Sequence, residues 1–279
     1  MDFRFLPFEP PPELKSYLRR SFFAQGRIGY RSDKILPNGL AVVIFNLGVP
    51  HHVGKSEDPL ENPSFDHSWL QGMQTTPTFN TPGGETHVVG LLFEPIGFHA
   101  LFGIDMRALT DQTMDARDIL PGHFISTVEG LAADAETEQA HAAIHAALST
   151  LPKRGIKPWL STFYDHIRDR QGQITLLEAY RMADRSPRHV NATFKTAIGV
   201  NPKTLCRIYR LQALLEAIAP AAPVNWSDLA AGFGFYDQAH FNREFRRFSG
   251  LHPTQYLAQR RQDLPELGKG ESVHFAPQR

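Results

Sequence analysis

The chain has 279 residues, with 29 Lys+Arg against 29 Asp+Glu, 13 His and one Cys. That length suits one large domain or two of ordinary size, and 42% hydrophobic with 21% charged residues excludes a disordered chain. No apolar run approaches the ~20 residues of a membrane span, Met1–Pro12 lacks a secretory pattern, and the lone Cys206 excludes an internal disulfide or a multi-cysteine zinc site; a reducing, cytoplasmic setting without a membrane partner is expected.

From the N-terminus, short apolar runs dominate. Leu40–Leu47 (LAVVIFNL) and His87–Phe93 (HVVGLLF) are rich in Val, Ile and Phe. Turn chemistry bounds them, at Pro37-Asn38-Gly39 and Pro82-Gly83-Gly84. Such runs read as strands. The Ala-rich stretch 134–151 reads as a helix with an acidic first turn. Residues 152–158 (PKRGIKP) combine two prolines with a glycine and read as a linker. Beyond them, 159–262 reads as helices and short turns, and 263–279 as a flexible tail. The expected fold class is α+β in two domains: a mostly-β N-terminal domain (1–151), cupin-like or β-barrel-like, and an all-α C-terminal one.

The zero net charge is an average of unlike parts. Residues 1–164 carry 13 Lys+Arg and 18 Asp+Glu, a balance of −5. Residues 165–262 carry 14 and 8, a balance of +6, and the tail carries 2 and 3. Charge asymmetry between halves points to a polyanion-binding module, although an excess of this size also arises by scatter.

The basic half repeats itself. Ser186, Phe194, Gly199 and Pro202 recur 51 residues later as Asp237, Phe245, Gly250 and Pro253. A fixed offset means two copies of one supersecondary unit, each a helix, a tight turn and a second helix. In the second copy Trp226–Phe233 is the first helix and Gly234 ends it. Asp237 caps the next helix, and Tyr236 with Phe241 is the expected hydrophobic staple. Phe241, Phe245 and Phe248 share one helical face. Gln238, Ala239, Asn242, Arg243 and Arg246 lie opposite, with Arg247 nearby. A solvated amphipathic helix would show the same two faces. The short turn and the second copy favour a recognition helix, with guanidinium and amide groups able to reach phosphates and base edges.

In the first copy Ser186-Pro187 starts the helix, and Val190 and Phe194 form its core face. Arg188, His189, Asn191, Ala192 and Lys195 lie elsewhere on it. Asp184 stands where glycine would turn most easily, Arg185 replaces the apolar staple residue, and Ala192 occupies a position suited to a long polar side chain. Weaker base discrimination follows. Between the copies Lys203–Ile218 reads as a linking helix of sixteen residues, roughly 24 Å long.

These residues resemble the AraC/XylS family of bacterial transcription regulators. The resemblance runs from about Ile174 to Leu257 and is most specific in GFYDQAHFNREF followed by G-x-x-P-x-x-Y. ITLLEAYRMADRSPRHVNATFKTAIGVNPK and RIYRLQALL resemble the first unit, with departures at Ala179, Tyr180, Asp184 and Arg185. The resemblance implies two recognition helices in successive major grooves. Arg188, Asn191 and Ala192 would face bases from the first, and Gln238, Ala239, Asn242 and Arg243 from the second. Lys195, Arg246 and Arg247 would meet phosphates. The N-terminal segment resembles β-rich domains attached to one subgroup of the family, through Leu36-Pro37-Asn38-Gly39, Phe45-Asn46-Leu47-Gly48 and Gly90–Pro95. Such domains sense small molecules or mediate association. The expected partner is double-stranded DNA; a small-molecule effector, RNA polymerase and a second copy of the chain are further candidates.

Other constellations carry less. His51, His52, His67, His87 and His99 would need Glu85 or Glu94 to make a cupin-like metal site, and the spacing is wrong; loop or surface histidines are expected, with no metal and no cofactor. Cys206 reads as a packing cysteine rather than a nucleophile. Trp69, Phe79, Phe93, Phe98 and Phe102 read as core more than as pocket lining. No catalytic motif appears. A sensing or association protein with weak, largely non-specific DNA binding is the alternative function, and a metalloenzyme fused to a DNA module is a third class.

Overall fold

The computed structural model describes residues 3–27, 32–131, 136–218, 224–263 and 275–278. Successive residues of a strand face opposite ways, and the apolar runs near the N-terminus are long enough to be buried on both faces. In β4 (Ala41–Asn46) Val43 and Phe45 join one cluster, while Val42 and Ile44 join another. The same split holds in β2 (Leu18–Gly26), with Phe23 against Phe22 and Ala24, and in β9 (Thr86–Phe93), with Val89, Leu91 and Phe93 against Val88.

These strands lie in an antiparallel sheet of order β1-β2-β9-β4-β7-β10, completed by β1 (Arg4–Phe8), β7 (Ser68–Gln71) and β10 (Thr113–Asp115). A second sheet holds β3 (Ser32–Ile35), β5 (His51–Gly54), β6 (Ser64–Phe65) and β8 (Thr78–Pro82) in the order β3-β8-β5-β6. Val53 and Phe65 of this sheet pack against Ile44, Trp69 and Val88 of the first. The other face of the first sheet is covered by α1 (Pro95–Phe102), α2 (Gly122–Gly130) and α3 (Glu138–Thr150). The N-terminal domain is thus β-rich and layered sheet, sheet, helices, the two sheets keeping separate ladders. Phe93, Phe98, Trp69 and Phe79 are core.

The histidines are not all at loops or on the surface, as the sequence suggested. His51 is buried in β5, with Nδ1 2.8 Å from Asn80 Oδ1 and its ring against Trp69. Its strand position faces the opposite sheet, which no local signal reveals. His52 is half-buried and His67 exposed. On α3, His141 and His145 are also buried, both bonded to Ser21 Oγ, at 2.7 and 2.9 Å. No cluster of three potential metal ligands occurs among the described residues, nor any helix long and apolar enough to cross a membrane.

The C-terminal part is helical: α4 (Pro158–Asp169), α5 (Leu176–Ala183), α6 (Pro187–Ile198), α7 (Pro202–Ala217), α8 (Trp226–Gly232), α9 (Gln238–Ser249) and α10 (Pro253–Asp263). The segment expected as a flexible tail differs at its end. Residues 275–278 form β11 (Phe275–Gln278), antiparallel to β3 and so adding a strand to the second sheet. The open edge of β3 offers the backbone partners. Residues 264–274 of that tail lie outside the described residues.

Candidate nucleic-acid interface

The 51-residue repeat is a repeat of caps. Ser186 Oγ accepts from the His189 N–H at 3.3 Å, and Asp237 Oδ1 from the His240 N–H at 2.6 Å. Gly199 and Gly250 end α6 and α9 at φ of 95° and 72°, conformations that favour glycine. Each donates its N–H to the carbonyl four residues back, at 2.8 Å. Pro202 and Pro253 then open α7 and α10.

In the second unit Phe241, Phe245 and Phe248 are buried, against Trp226, Phe235 and Tyr256. The expected staple is not made: Tyr236 is 92% exposed, and Phe235 packs on Phe241 at 5.3 Å instead. The chain bends at Tyr236 and Asp237 as it enters the cap, Asp237 itself having φ −153° and ψ 172°. At this bend Phe235 enters the core and Tyr236 leaves it. A half-buried ion pair, Arg207 Nε and Nη2 to the two Glu244 oxygens, ties α9 to α7. The Arg207 guanidinium also lies 5.3 Å from the Phe248 ring.

The opposite face of α9 stays open. Gln238, Ala239, Arg243, Arg246 and Arg247 are exposed and Asn242 half-buried. Among the described residues no carboxylate pairs with any of these three arginines.

In the first unit Val190 and Phe194 are fully buried. Asp184 takes the left-handed conformation, φ 46° and ψ 46°, and makes the turn without glycine. Arg188, Ala192 and Lys195 are exposed. Asn191 is already occupied: its Nδ2 donates to Pro187 O at 2.8 Å and to Tyr180 Oη at 3.2 Å. The residues marked in both units therefore share an outward face on their helices, except Asn191 and Asn242, which sit at its edge. Sequence reasoning placed Tyr236 in the core, where it is exposed, and missed the Glu244 anchor. Glu244 lies three residues after Phe241, a spacing that hinted at the buried side.

The helical unit is fastened to the N-terminal domain. Glu94, before α1, is 2% exposed, and its carboxylate takes two side-chain partners. Arg19 Nε lies 2.6 Å from one oxygen, and Tyr164 Oη of α4 donates to the other. Tyr209 Oη of α7 is 2.8 Å from Tyr164 Oη. Burial, reinforced by the Glu94 charge, pushes both phenols above their ordinary range, so both stay protonated donors. Burial works against the Arg19 charge, and Glu94 outweighs it. Gln212 Nε2 donates to Pro37 O at 2.5 Å and Thr110 Oγ1 to Gly199 O at 2.9 Å. Leu36, Met73 and Ile96 join the helical core itself, and α6 packs on α1 and on the turn Met106–Ala108. Cys206 is buried on α7, and burial pushes its thiol up to about 11, far from a reactive thiolate.

Residues 180–259 match the family described as a helix-turn-helix domain. Residues 7–115 match a domain of unknown function, DUF6597. No curated protein sequence matches the chain. Two solved structures of ToxT from Vibrio cholerae are similar in outline. One, at 1.65 Å resolution, is 9% identical with a TM-score of 0.47, over 92% of this chain and 98% of that one. The other, the unsaturated fatty acid bound wild-type protein from strain SCE256, is 10% identical with a TM-score of 0.47, over 91% and 94%.

Proposed function

Because residues 180–259 are an AraC-type helix-turn-helix domain, we propose that the chain is a sequence-specific DNA-binding transcription regulator modulated through its β-rich N-terminal domain. The observation that carries the reading is α9: three phenylalanines hold one face in the core, and free guanidinium and amide groups occupy the other. Gln238, Ala239, Asn242 and Arg243 read base edges, where Arg pairs with guanine and Gln or Asn with adenine. Arg246 and Arg247 neutralise phosphates. In the first unit Arg188, Asn191 and Ala192 face bases and Lys195 a phosphate. The bonds already made by Asn191 and the short side chain of Ala192 support a weaker reading there, more grip than choice. With α7 between them, the two recognition helices enter successive major grooves, about 34 Å apart along the duplex.

In this reading the N-terminal domain is 1–151, the linker 152–158 and the DNA-binding domain 159–262. A small-molecule effector, RNA polymerase and a second copy are its remaining partners. The test is random-site selection with the full chain, followed by salt titration on the selected duplex. Arg243→Ala should cost ~1–3 kcal/mol on that duplex and relax one base position, and Arg246→Ala should weaken all duplexes alike and lower the salt slope by about one. Equal affinity for selected and random duplex would leave only the non-specific alternative.

A further inference from the structure

A half-open cavity of about 340 Å³ lies where α1, the chain 154–157, the start of α4 and α6 meet. That volume falls within the range of small-molecule sites, which concentrate at domain interfaces. Its floor is apolar and buried, formed by Ile96 and Ala100 of α1, Leu160 of α4 and Ala197 of α6. Its rim is cationic, with Arg107, Arg154 and Lys157, and no carboxylate lines it. Arg107 is committed to Asp105, with Nε 2.9 Å from each oxygen. Arg154 and Lys157 have no carboxylate partner among the described residues.

The free cation of Arg154 is held in place. The Arg154 backbone N–H donates to Ala100 O at 2.9 Å, which fixes the chain that carries the side chain. Its guanidinium rests on Gly103, the left-handed residue that ends α1, where a Cβ would overlap Nη1. His99 Nδ1 sits 2.6 Å from Ile104 O, so that nitrogen carries the proton and Nε2 is left as the free ring nitrogen. Thr193 and Thr196 of α6 add hydroxyls to the wall. Two unpaired cations above an apolar floor match a ligand with one anionic end and an apolar body. A bare phosphate would need the cations and not the floor.

We propose that this cavity binds a small organic monocarboxylate, its anion on Arg154 and Lys157 and its body on the Ile96–Leu160 floor. One such molecule touches the N-terminal domain, the linker and the first recognition helix together. The assignment rests on the regulator reading for its consequence, an effector seated against α6, and not for the binding itself.

Calorimetry on the full chain without DNA tests it, using 4-phenylbutyrate and octanoate, the neutral 4-phenylbutyramide, and inorganic phosphate. The carboxylates should bind, and the amide and phosphate should bind at least about tenfold more weakly. Arg154→Gln and Lys157→Gln should each weaken the carboxylates by about five- to tenfold. Both side chains are exposed, so neither change should unfold the chain. Absent carboxylate binding, or unchanged binding in both variants, overturns the proposal. So does a third pattern, in which the variants keep carboxylate affinity and lose duplex affinity uniformly with a smaller salt slope. That would assign the cations to the DNA backbone. Failure of the duplex selection would sink the regulator reading and leave this result standing.

Discussion

Glu94 offers the sharpest test of how the two domains are joined. Its carboxylate is buried, bonded to Arg19 at 2.6 Å and to Tyr164 of α4, which is in turn 2.8 Å from Tyr209 of α7. Tyr164→Phe removes one hydrogen bond to a charged acceptor, worth ~1.5–3 kcal/mol, and leaves the carboxylate with Arg19. A loss of about 2 kcal/mol is expected. Glu94→Gln keeps the shape and removes the charge. Arg19 is 36% exposed, so water recovers part of its ion pair, and the loss should be about 1–2 kcal/mol. If both changes act through the Tyr164–Glu94 bond, the double variant should lose less than the sum, with a coupling of ~1–2 kcal/mol. Urea unfolding can be followed by tryptophan fluorescence, from Trp69 in the N-terminal sheets and Trp159 and Trp226 in the helical unit. In each variant the helical unit should unfold ahead of the N-terminal domain, splitting the transition. Losses that add within about 0.5 kcal/mol would refute the bond as the shared cause.

Two further outcomes follow from local geometry and burial. Asp184 holds a left-handed conformation that costs a residue with a Cβ roughly 1–2 kcal/mol; Asp184→Gly should raise the urea midpoint and Asp184→Ala lower it, and a lower midpoint for glycine would show that the Asp side chain is itself needed in the turn. Burial lowers the pKa of His51 and of His145 from the ordinary 6.5. The unfolded chain therefore takes up protons near pH 6.5 that the folded chain resists. Stability should be full above that pH and fall as pH drops below it. Urea midpoints at pH 7.5 and 5.5 check this, and a flat profile in the wild type, or an equal fall in a His51→Gln/His145→Gln variant, would remove these histidines as the cause.

The helical half was the more legible because its signals are local. A cap acts on an N–H three residues away, and a phenylalanine face repeats every three to four residues. Ser186, Asp237, Gly199, Gly250 and the Phe241–Phe245–Phe248 face could thus be placed without tertiary information, and Asp184 could be placed in a left-handed turn. The Tyr236 staple failed one residue from a correct cap, because the bend into the cap sends Phe235, and not Tyr236, into the core. The N-terminal strands were legible as strands, from their β-branched runs and turn residues. Their partners were not, since the order β2-β9-β4 joins segments far apart in sequence.

The zero net charge hid an acidic β-rich domain and a basic helical one, and the segment counts alone separate them. Composition, spacing and capping chemistry were enough to determine the twofold helical unit and the outward face of α9. Only the tertiary structure decided that His51, His141 and His145 are buried, that Asn191 is already bonded, and that Glu94 joins β-sheet to helix. It alone set the wall of α6 against α1 and Arg154 upon Gly103. Apart from the local bonds of Asn191, those facts depend on contacts between residues tens to more than a hundred positions apart, where side-chain burial and pairing follow from packing and leave no periodic trace in the chain.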